Sequence, residues 1–600
     1  MAGRKVRIGC ASGFYGDSQL AARQLVELGE IDYLVFDYLA EVTMAILARA
    51  KAKDAENGYA LDFVKVTMRD IIKDVAARGI KVVANAGGVN ALRCARALRE
   101  LCEVAGVDLK VAAVYGDDIV EMADDLRDSQ VRDIATGQTL PGKLLSMNAY
   151  LGAHPIARAL AAGADIVVTG RVVDSAVVLG PLMYEFGWDN NDYTRLAAGS
   201  LVGHVLECGC QASGGLFTDW QDVEDWDNMG YPIGEVEANG SFVVSKPPGT
   251  GGLIVPGAVA EQILYEIGDP ANYLLPDVTC DFTNVVLEQV GENKVRVSGA
   301  VGKAPGTQYK CCATYQDGFR LLFTCMIGGI DAVAKGRRVA DAVVKRVQRV
   351  YRQRGLPDFR AVSVETIGAE DTYGPHSRVT DVREVLVKIG LQHDVREALD
   401  FFAAEVFYLF TSTSQGLTGA PSGRARPSPM VKIFSFLIDK SRVPVTVEVD
   451  GKTISKTVYS GSEPVGVDAP AARGDGKEFK PKGAVTQVPL IRLAWGRSGD
   501  KGDICNVGII ARRPEFVPLL RAVLTKAAVA EYFAHICDGP VERFELPGIN
   551  AFNFVLHDAL GGGGTGSLRM DPQGKAAAQM LLSKEMAVPA AWLVSGGPLA

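Results

Sequence analysis

Three side chains near the middle of the chain have the types and spacing of a catalytic group, namely His204, Glu207 and Cys208. On a helix, residues three and four positions apart lie on the same face. An imidazole, a carboxylate and a thiol gathered there could act as base, acid and nucleophile. A structural histidine is the alternative, although a chain with only six histidines makes the grouping noticeable. We predict that these three residues are catalytic.

A glycine-rich turn spans residues 9–18, between an apolar run and a helical pattern. Glycine lets the backbone take positive φ and approach a bound group closely, and the free N–H groups at a helix start favour an anion. Packing of a helix on a sheet is the alternative role. Asp17 and Ser18 could contact the ligand or cap the following helix. The ligand-binding residues that we predict in this turn are Ser12, Gly13, Gly16 and Asp17.

Asp37 follows this turn by roughly twenty residues, as does the ribose-binding acid of dinucleotide folds. Gly9, Gly13 and Gly16 do not follow the G-x-G-x-x-G spacing, which argues against a nicotinamide cofactor. Asp37 and Glu41 would share a face if one helix covered both. The pair could bind a metal, share acid–base work or begin a solvated helix, so the metal requirement stays open.

Polar or glycine-rich turns also follow four later apolar runs, near residues 37, 85, 115 and 170. In an open parallel sheet the ligand crevice lies outside the carboxyl ends of the strands, so these turns should converge on one site. Arg171 could hold a phosphate or carboxylate bidentately, or pair with Asp174 across one helical turn. The ligand-binding residues that we predict in these turns are Asn85, Gly87, Gly88, Asp117, Gly170, Arg171 and Asp174.

Several loops combine cations with flexible backbone. Residues 246–252 could hold a pyrophosphate group, although Walker spacing is absent, and we predict Lys246 and Gly249 as ligand-binding residues. Residues 497–503, and residues 561–564 with Arg569, could bind an anion or form tight turns, and the first could instead contact the large domain. The sequence contains neither a Gly-x-Ser-x-Gly elbow nor a His-Glu-x-x-His zinc helix, which argues against those hydrolase classes.

The elements that must position these residues alternate over the first 185 residues. Short apolar runs separated by helical stretches predict βαβ units and a parallel sheet. The runs are 6–8, 33–36, 81–84, 109–114 and 165–169. From about residue 186, shorter strands broken by Gly, Pro and aromatic residues predict a mostly β or mixed segment. Beyond it we expect a helix over 330–354, a strand over 361–366, a helical stretch over 382–407 and an irregular segment over 411–429.

A linker and a small domain are predicted at the end of the chain. Residues 458–487 are rich in Gly, Pro, Lys and Asp and lack periodicity. Strands over 489–495, 504–511 and 544–556 and helices over 515–535 and 573–585 predict an α+β domain at 488–600. The fold class is therefore α/β, with a parallel-sheet N-terminal region and a mixed α+β extension. These two parts, 1–185 and 186–457, form a large domain over 1–457.

Composition excludes several classes of protein. A net charge of −8 spread over 600 residues argues against a nucleic-acid-binding surface. No eighteen-residue apolar run and no signal-peptide core occur, so we expect no membrane partner and no secretion. The scattered cysteines lack zinc-ribbon spacing, which favours reduced thiols in the cytoplasm or an organelle matrix. We also expect a homo-oligomer.

Seven motifs, taken together and in order, resemble those of the acyclic terpene utilisation family, AtuA. They are ASGFYGDS at 11–18, FDYLAE at 36–41, NAGG at 85–88, TGRVVDS at 169–175, GHVLECG at 203–209, KPPGTGG at 246–252 and SGDKGD at 498–503. The resemblance covers nearly the whole chain. It implies a large N-terminal domain followed by a small ferredoxin-like domain.

The same resemblance implies degradation of branched acyclic terpenoids, such as citronellol or geraniol, through coenzyme A thioesters. We expect an enzyme of branched terpenoid or branched-acid catabolism that acts on an acyl-CoA or related carboxylate as a lyase or hydratase. His204 or Glu207 would supply the base, and Arg171 with the glycine turns would hold the acyl and phosphate groups. Coenzyme A enters as part of the substrate, with no other cofactor expected. The alternative is a non-catalytic acyl-CoA-binding or scaffold subunit of a catabolic complex.

Overall fold

A parallel sheet forms the centre of the molecule, for which a computed structural model describes residues 3–379, 381–421, 423–462 and 483–600. Its five parallel strands are, in spatial order, Lys5–Cys10, Tyr33–Phe36, Lys81–Ala84, Ile166–Thr169 and Val111–Tyr115. All five predicted strands are confirmed. Successive strand residues point to opposite faces, so Tyr33 and Val35 enter one hydrophobic core while Leu34 and Phe36 enter another.

Helices cover both faces of this sheet, which is why its strands are apolar on both sides. The helices of this region are Ala21–Leu28, Glu41–Lys53, Arg69–Arg78, Ala91–Ala105, Ala123–Asp128, His154–Ala161, Ala176–Phe186 and Tyr193–Leu206. A π-helical turn, Phe63–Met68, leads into the third of them. The prediction of an α/β fold is confirmed, and the loops that follow the strands lie along one edge.

Antiparallel strands from later in the chain extend the same sheet to eleven strands. Beside Lys5–Cys10 lie Ile233–Glu237, Phe242–Ser245, Lys294–Ser298 and Val286–Gly291, in that order. Beside Val111–Tyr115 lie Val445–Val449 and then Lys452–Thr457. The parallel strands and the mixed segment after residue 186 therefore share one continuous sheet.

A second sheet is built around a 21-residue strand, Gln308–Gly328. Its antiparallel partners are Ser428–Asp439, Glu384–His393, Ser146–Ala149 and Leu417–Gly419, and Glu384–His393 also pairs with Ala361–Ile367. Helix Ala332–Arg354 lies against this sheet, which confirms the helix predicted over 330–354.

The helical stretch predicted over 382–407 is wrong. Residues Glu384–His393 form a strand, and helix Arg396–Glu405 begins only after it. Val385, Val387, Ile389 and Leu391 all enter the hydrophobic core under helix Ala332–Arg354, and this period of two is that of a strand. The irregular segment predicted over 411–429 includes the end of helix Leu409–Ser412, strand Leu417–Gly419 and the start of Ser428–Asp439.

Strands Tyr273–Leu274, Thr279–Asp281 and Val301–Lys303 form a three-stranded sheet against helix Tyr193–Leu206, and helix Pro256–Leu264 precedes it in the chain. The helix is buried along its whole length. It packs against helix Tyr193–Leu206 on one side and the C-terminal strands on the other.

The C-terminal part (residues 483–600) has a four-stranded antiparallel sheet. Its strand order is Ala494–Lys501, Ile504–Ala511, Ala551–Leu556 and Val541–Leu546. Strand Val485–Pro489 pairs separately with Glu585–Pro589. The helices are Val517–Val523, Lys526–Tyr532, Gly563–Gly566 and Ala577–Leu582. The small α+β architecture agrees with expectation.

Several boundaries in the C-terminal part differ from prediction. The strand expected over 489–495 runs instead over Ala494–Lys501. The helix expected over 515–535 is two helices, because Thr525 caps a new one by accepting from Ala528 N at 3.1 Å. The strand expected over 544–556 is a hairpin, because Pro547 opens a turn. The helix expected over 573–585 covers only Ala577–Leu582.

Most of the predicted linker, residues 463–482, lies outside the described residues. Its last residues fall in strand Val485–Pro489. All eleven cysteines lie in the described residues, and none of them forms a disulfide there. Within the described ranges, no helix is both long and apolar enough to cross a membrane.

Candidate functional site

The loops after the first three parallel strands are joined by hydrogen bonds at the carboxyl edge of the sheet. Ser12 Oγ donates to Asp37 O at 3.1 Å, and the Asn85 amide donates to the Asp37 carboxylate. Asn85 Oδ1 in turn accepts from Tyr38 N at 2.7 Å. Asn85 is fully buried, so its bonds hold the loops together without contact with water. The predicted convergence of these turns is confirmed.

The loops after Val111–Tyr115 and Ile166–Thr169 meet at Asp117. This buried carboxylate accepts from Arg171 N and from Asn148 Nδ2, both at 2.8 Å. A Cβ on Gly170 would lie 2.0 Å from Asp117 Oδ1, so the contact requires glycine there. Burial raises the pKa of Asp117 to about 7. Asp117 and Gly170 therefore fix the backbone from which the Arg171 side chain extends.

The Arg171 guanidinium is only 4% exposed and still has a free donor. Nη1 donates to Asp174 Oδ1 at 2.7 Å and to Val172 O at 2.8 Å, and the guanidinium carbon lies 4.1 Å from the centre of the Tyr150 ring. The ion pair foreseen between Arg171 and Asp174 is therefore present. It leaves Arg171 Nε without a hydrogen-bond partner among the described residues, so the other alternative, contact with a ligand, stays a prediction. Nε can donate to a bound oxygen atom.

Asn148 also has an unpaired buried atom, Oδ1, beside Arg171. Both residues line a small cavity of about 10 Å³. This is close to the volume that one water molecule needs, and the unpaired donor and acceptor both belong to residues that line it. The cavity can therefore hold a single water or one oxygen atom of a larger ligand.

Glu41 is the counter-ion of this region. Tyr150 Oη donates to Glu41 Oε1 at 2.6 Å, and Lys310 Nζ lies 3.9 Å from the same atom. Burial favours the neutral acid, but Lys310 and Arg171 outweigh it and lower the pKa of Glu41 to about 2. Glu41 is thus always ionised near neutral pH and holds the two cations in place. It begins helix Glu41–Lys53, whereas Asp37 precedes that helix, so they do not share a helical face.

Asp37 is a carboxyl group suited to proton transfer. Burial, followed by repulsion from Asp174 and Glu207, raises its pKa well above the ordinary value, and Arg171 offsets only part of this. A carboxylate with a raised pKa is a stronger base than an ordinary aspartate, so it can take a proton from a substrate more readily. We use the name crevice from here on for seven residues, the last of which is described below: Asp37, Glu41, Tyr150, Arg171, Asp174, Glu207 and Lys501.

His204 lies next to Glu207 and is fully buried. Helix Tyr193–Leu206 holds His204 with no exposed surface, and its Nε2 lies 3.0 Å from Ile263 O. Because that oxygen can only accept, Nε2 carries a proton, and Nδ1 lies 3.2 Å from Glu207 Oε1. Burial opposes the charged ring, but Glu207 outweighs it and raises the pKa of His204. Burial also raises the pKa of Glu207.

Cys208 does not share a helical face with His204, because the helix ends at Leu206. Burial, with a further contribution from Glu207, raises the pKa of the Cys208 thiol well above its ordinary value. The thiol stays protonated at neutral pH, and only a thiolate is a strong nucleophile. The Cys208 backbone instead packs against the glycine turn, since a Cβ on Gly13 would lie 2.8 Å from Cys208 C.

Asp17 closes the glycine turn and does not cap a helix. Its Oδ2 accepts from Gly13 N at 2.9 Å, and its Oδ1 accepts from Tyr231 Oη at 3.0 Å. The helix begins only at Ala21, so the capping alternative is wrong. Gly16 has φ +97°, which the turn requires and a larger residue would resist.

Gly87 and Gly88 close the turn after the third strand. Gly87 N donates to Thr169 O at 3.0 Å, which ties the loops after two strands together. Gly88 has φ +54° and faces Leu47, with no space for a side chain. These glycines therefore shape the crevice wall through the backbone.

Lys246 and Gly249 lie apart from the crevice. The Lys246 ammonium donates to Thr250 O within its own loop, and Gly249 O accepts from Asn228 Nδ2 at 3.3 Å. Burial lowers the pKa of Lys246. The hydrogen bonds of this loop thus run within it and to the neighbouring loop that contains Asn228.

Lys501, from the C-terminal part, completes the crevice. It ends strand Ala494–Lys501 at the tip of a hairpin, and its Nζ lies 2.9 Å from Glu266 Oε2. The side chain is 47% exposed, yet Glu266 and Asp174 outweigh burial and raise its pKa. The carboxylates of the large part therefore keep this ammonium charged. Lys501 lies in the SGDKGD motif. A lysine between two glycines in this motif is the sequence feature that could have identified Lys501 as a site residue.

Metal binding has no support from the described residues, in which no group of three or more His, Cys, Asp or Glu side chains could hold a metal ion. The crevice instead offers two cations and a set of carboxyl groups with different pKa values. Such a set can bind an anionic or carbonyl oxygen and move a proton beside it.

Comparison with known proteins agrees with this architecture. Residues 6–449 match the acyclic terpene utilisation family protein AtuA, and residues 488–587 match the AtuA ferredoxin-like domain. The two matches place Arg171 in the first region and Lys501 in the second. No curated protein sequence matches the chain. The chain belongs to the acyclic terpene utilisation family AtuA.

Proposed function

We propose that this protein is an enzyme of branched acyclic terpenoid or branched-acid catabolism that transfers a proton on an acyl-CoA thioester or related carboxylate, as a lyase or hydratase. One observation carries the proposal, namely a carboxyl group of raised pKa, Asp37, close to a buried arginine with a free Nε–H. Family membership supports the link to acyclic terpene utilisation.

The chemistry follows from the charges of the crevice. A proton on the carbon next to a thioester or carboxylate carbonyl is removed readily only if the developing enolate oxygen is stabilised. In the proposal, Arg171 Nε–H and the Lys501 ammonium face that oxygen. Asp37 takes the proton from carbon or returns it. Glu207 gives a proton to the leaving hydroxyl group or takes one from the entering water. Glu41 stays ionised and balances the cations.

His204 is a positioning residue in this scheme. It has no exposed surface and cannot touch a substrate. It lies beside Glu207, however, and offsets part of the rise that burial causes in the pKa of that carboxyl. Of the two residues foreseen as the base, Glu207 therefore acts on the leaving or entering hydroxyl group, while Asp37 takes the proton on carbon. Cys208 has no role as a nucleophile in the proposal because its thiol stays protonated.

The test is exchange of carbon-bound protons with solvent. Purified protein is incubated in D₂O with a panel of straight and branched acyl-CoA thioesters and their free acids, and deuterium incorporation and new products are followed by mass spectrometry. We expect exchange with at least one thioester, and Asp37→Asn should slow it by about 100-fold or more. The matched control is Asp108→Asn, at an exposed position that precedes strand Val111–Tyr115 and so lies at the edge of the sheet opposite the crevice loops.

Two results would count against the proposal. Exchange that is equal in Asp37→Asn and Asp108→Asn would remove the assigned role of Asp37. Binding of thioesters without exchange or product would favour the alternative, a non-catalytic acyl-CoA-binding or scaffold subunit. The Asn side chain keeps an oxygen that can accept from Asn85, and a Tm equal to that of the wild type would exclude loss of folding as the cause of a loss of exchange.

A further inference from the structure

A cavity of about 450 Å³ lies between the large part and the C-terminal part. From the large part it is lined mainly by Leu216, Phe217, Trp220 and Trp226, and from the C-terminal part by Arg497 and Lys575. Its volume falls in the range of about 300–1,000 Å³ that is typical of small-molecule sites. None of the proposed steps at the crevice uses this cavity.

The rim of the cavity exposes large apolar side chains to solvent. Leu216 is 68% exposed, Trp220 54% and Trp226 60%, and the two indole rings lie edge to face with centres 5.9 Å apart. Leu216 also has φ +61°, an uncommon backbone conformation for a leucine. Exposed apolar side chains gathered around a cavity indicate a site that an apolar ligand covers.

Negative charges near Trp220 and Trp226 bear on which ligands the cavity can bind. The loop that carries both of them contains five carboxylates, Asp219, Asp222, Glu224, Asp225 and Asp227. Arg512 and Trp495 pair with Asp219, whereas the other four lie at exposed positions. Such a loop repels phosphate groups, so the nucleotide end of coenzyme A is disfavoured here. An uncharged hydrocarbon group is not repelled.

Lys575 connects the cavity with the crevice. Its side chain lines the cavity, while its Nζ lies 3.4 Å from Glu266 Oε1. The other oxygen of the same carboxylate, Glu266 Oε2, lies 2.9 Å from Lys501 Nζ in the crevice. A single carboxylate therefore separates the lysine of the cavity from the lysine of the crevice.

We infer that this cavity binds the hydrocarbon tail of the substrate whose carbonyl end lies in the crevice. The inference rests on the proposed function for the position of the carbonyl end. Trp220 and Trp226 then act as a chain-length gauge, because each methylene buried against them adds to the affinity. The expected gain is about 3- to 4-fold per buried methylene.

The experiment measures binding with three probes, acetyl-CoA, decanoyl-CoA and 1-octanol, by calorimetry and by tryptophan fluorescence. Octanol has an apolar chain but no thioester, so it reports on the cavity alone. The double variant Trp220→Ala, Trp226→Ala removes the aromatic wall from exposed positions, where the change costs little stability. Lys501→Gln weakens the crevice and leaves the wall intact.

We expect wild-type protein to bind decanoyl-CoA at least about 100-fold more tightly than acetyl-CoA. The double tryptophan variant should reduce this ratio to less than about 10-fold and abolish octanol binding. Lys501→Gln should weaken both thioesters equally and leave octanol binding unchanged. A chain-length ratio that survives in the double tryptophan variant would overturn the inference. Octanol binding without thioester binding would overturn the proposed function alone, and thioester binding without octanol binding or chain-length dependence would overturn the inference alone.

Discussion

Replacing Gly170 with alanine tests whether the Asp117 contact fixes the backbone at Arg171. The added Cβ would lie 2.0 Å from Asp117 Oδ1 and 2.5 Å from its Cγ, far inside contact distance. Asp117 would have to leave the place where it accepts from Arg171 N and Asn148 Nδ2. We therefore expect both a loss of stability and a displaced guanidinium.

The expected magnitude follows from these contacts. Overpacking a buried site costs about 1–3 kcal/mol, and a hydrogen bond to a charged group contributes roughly 1.5–3 kcal/mol. The two effects overlap because both arise from moving one carboxylate, so the free energy of unfolding should fall by about 2–5 kcal/mol. For residues 6–449 the unfolding entropy is about 0.9 kcal/mol/K, which converts this loss to a fall in Tm of about 2–5 °C.

The assay is scanning calorimetry on the wild type, Gly170→Ala and the control Gly142→Ala. No atom lies within 4 Å of a Cβ on Gly142, so that substitution should leave Tm within about 1 °C of the wild type. Decanoyl-CoA binding provides a second readout, which should weaken only in Gly170→Ala. If Gly170→Ala melts and binds like Gly142→Ala, the Asp117 contact does not position Arg171.

Three further predictions concern titration and charge. The raised pKa of folded Asp117 means that the folded state holds its proton more tightly than the unfolded state, so stability falls, by up to about 4 kcal/mol, as pH rises from about 4 through 7. Tm measured at pH 5 and pH 8 should show this fall in the wild type and a smaller one in Asp117→Asn. His204→Gln keeps a donor for Ile263 O but removes a group that lowers the pKa of Glu207. The acid side of the pH profile for hydration, in which Glu207 takes the proton of the entering water, should therefore move to higher pH. An unmoved profile would contradict the positioning role. Lys501→Gln should weaken acyl-CoA binding about 5-fold or more at low salt, with under about 1 kcal/mol lost in stability, because partly exposed ion pairs contribute little to folding. Lys53→Gln, at an exposed helix end, is the control, and equal binding by both variants would exclude Lys501 from the site.

Much of the central sheet could be predicted from the sequence. The runs near residues 6, 33, 81, 111 and 166 are short and apolar, and each is followed by turn residues, which is the pattern of buried parallel strands. The convergence of the turns follows from topology, because parallel strands end at one edge. That is why the order of the strands is enough to predict that Asn85, Asp117 and Arg171 lie close together.

The longer-range parts of the fold could not be predicted in the same way. Strand Glu384–His393 carries the charged residues Glu384 and Lys388 among its apolar residues and reads locally as helix. Its partner, Gln308–Gly328, is distant in sequence, and strand preference depends on such neighbours. The extension of the sheet by Val445–Val449 likewise depends on a contact with Val111–Tyr115 that no local pattern reveals.

The candidate site was predicted from one side only. Arg171 and Glu207 lie on the large part, and their neighbours there follow from the order of the strands. Lys501, Glu266 and Tyr150 come from a hairpin, a helix end and a loop of the other sheet, so only tertiary packing brings them to the crevice. His204 shows the reverse case, since its spacing to Glu207 is right but burial removes it from any substrate.

The pH dependence of proton exchange on carbon tests the central claim most directly. Deuterium incorporation into an acyl-CoA that binds is measured from pH 4 to pH 9 for the wild type and Asp37→Asn. Because burial and neighbouring carboxylates raise the pKa of Asp37, wild-type exchange should be slow at pH 4 and rise towards neutral pH, and Asp37→Asn should abolish the rise. A wild-type rate that is already maximal at pH 4, or a rise that persists in Asp37→Asn, would contradict proton transfer by Asp37.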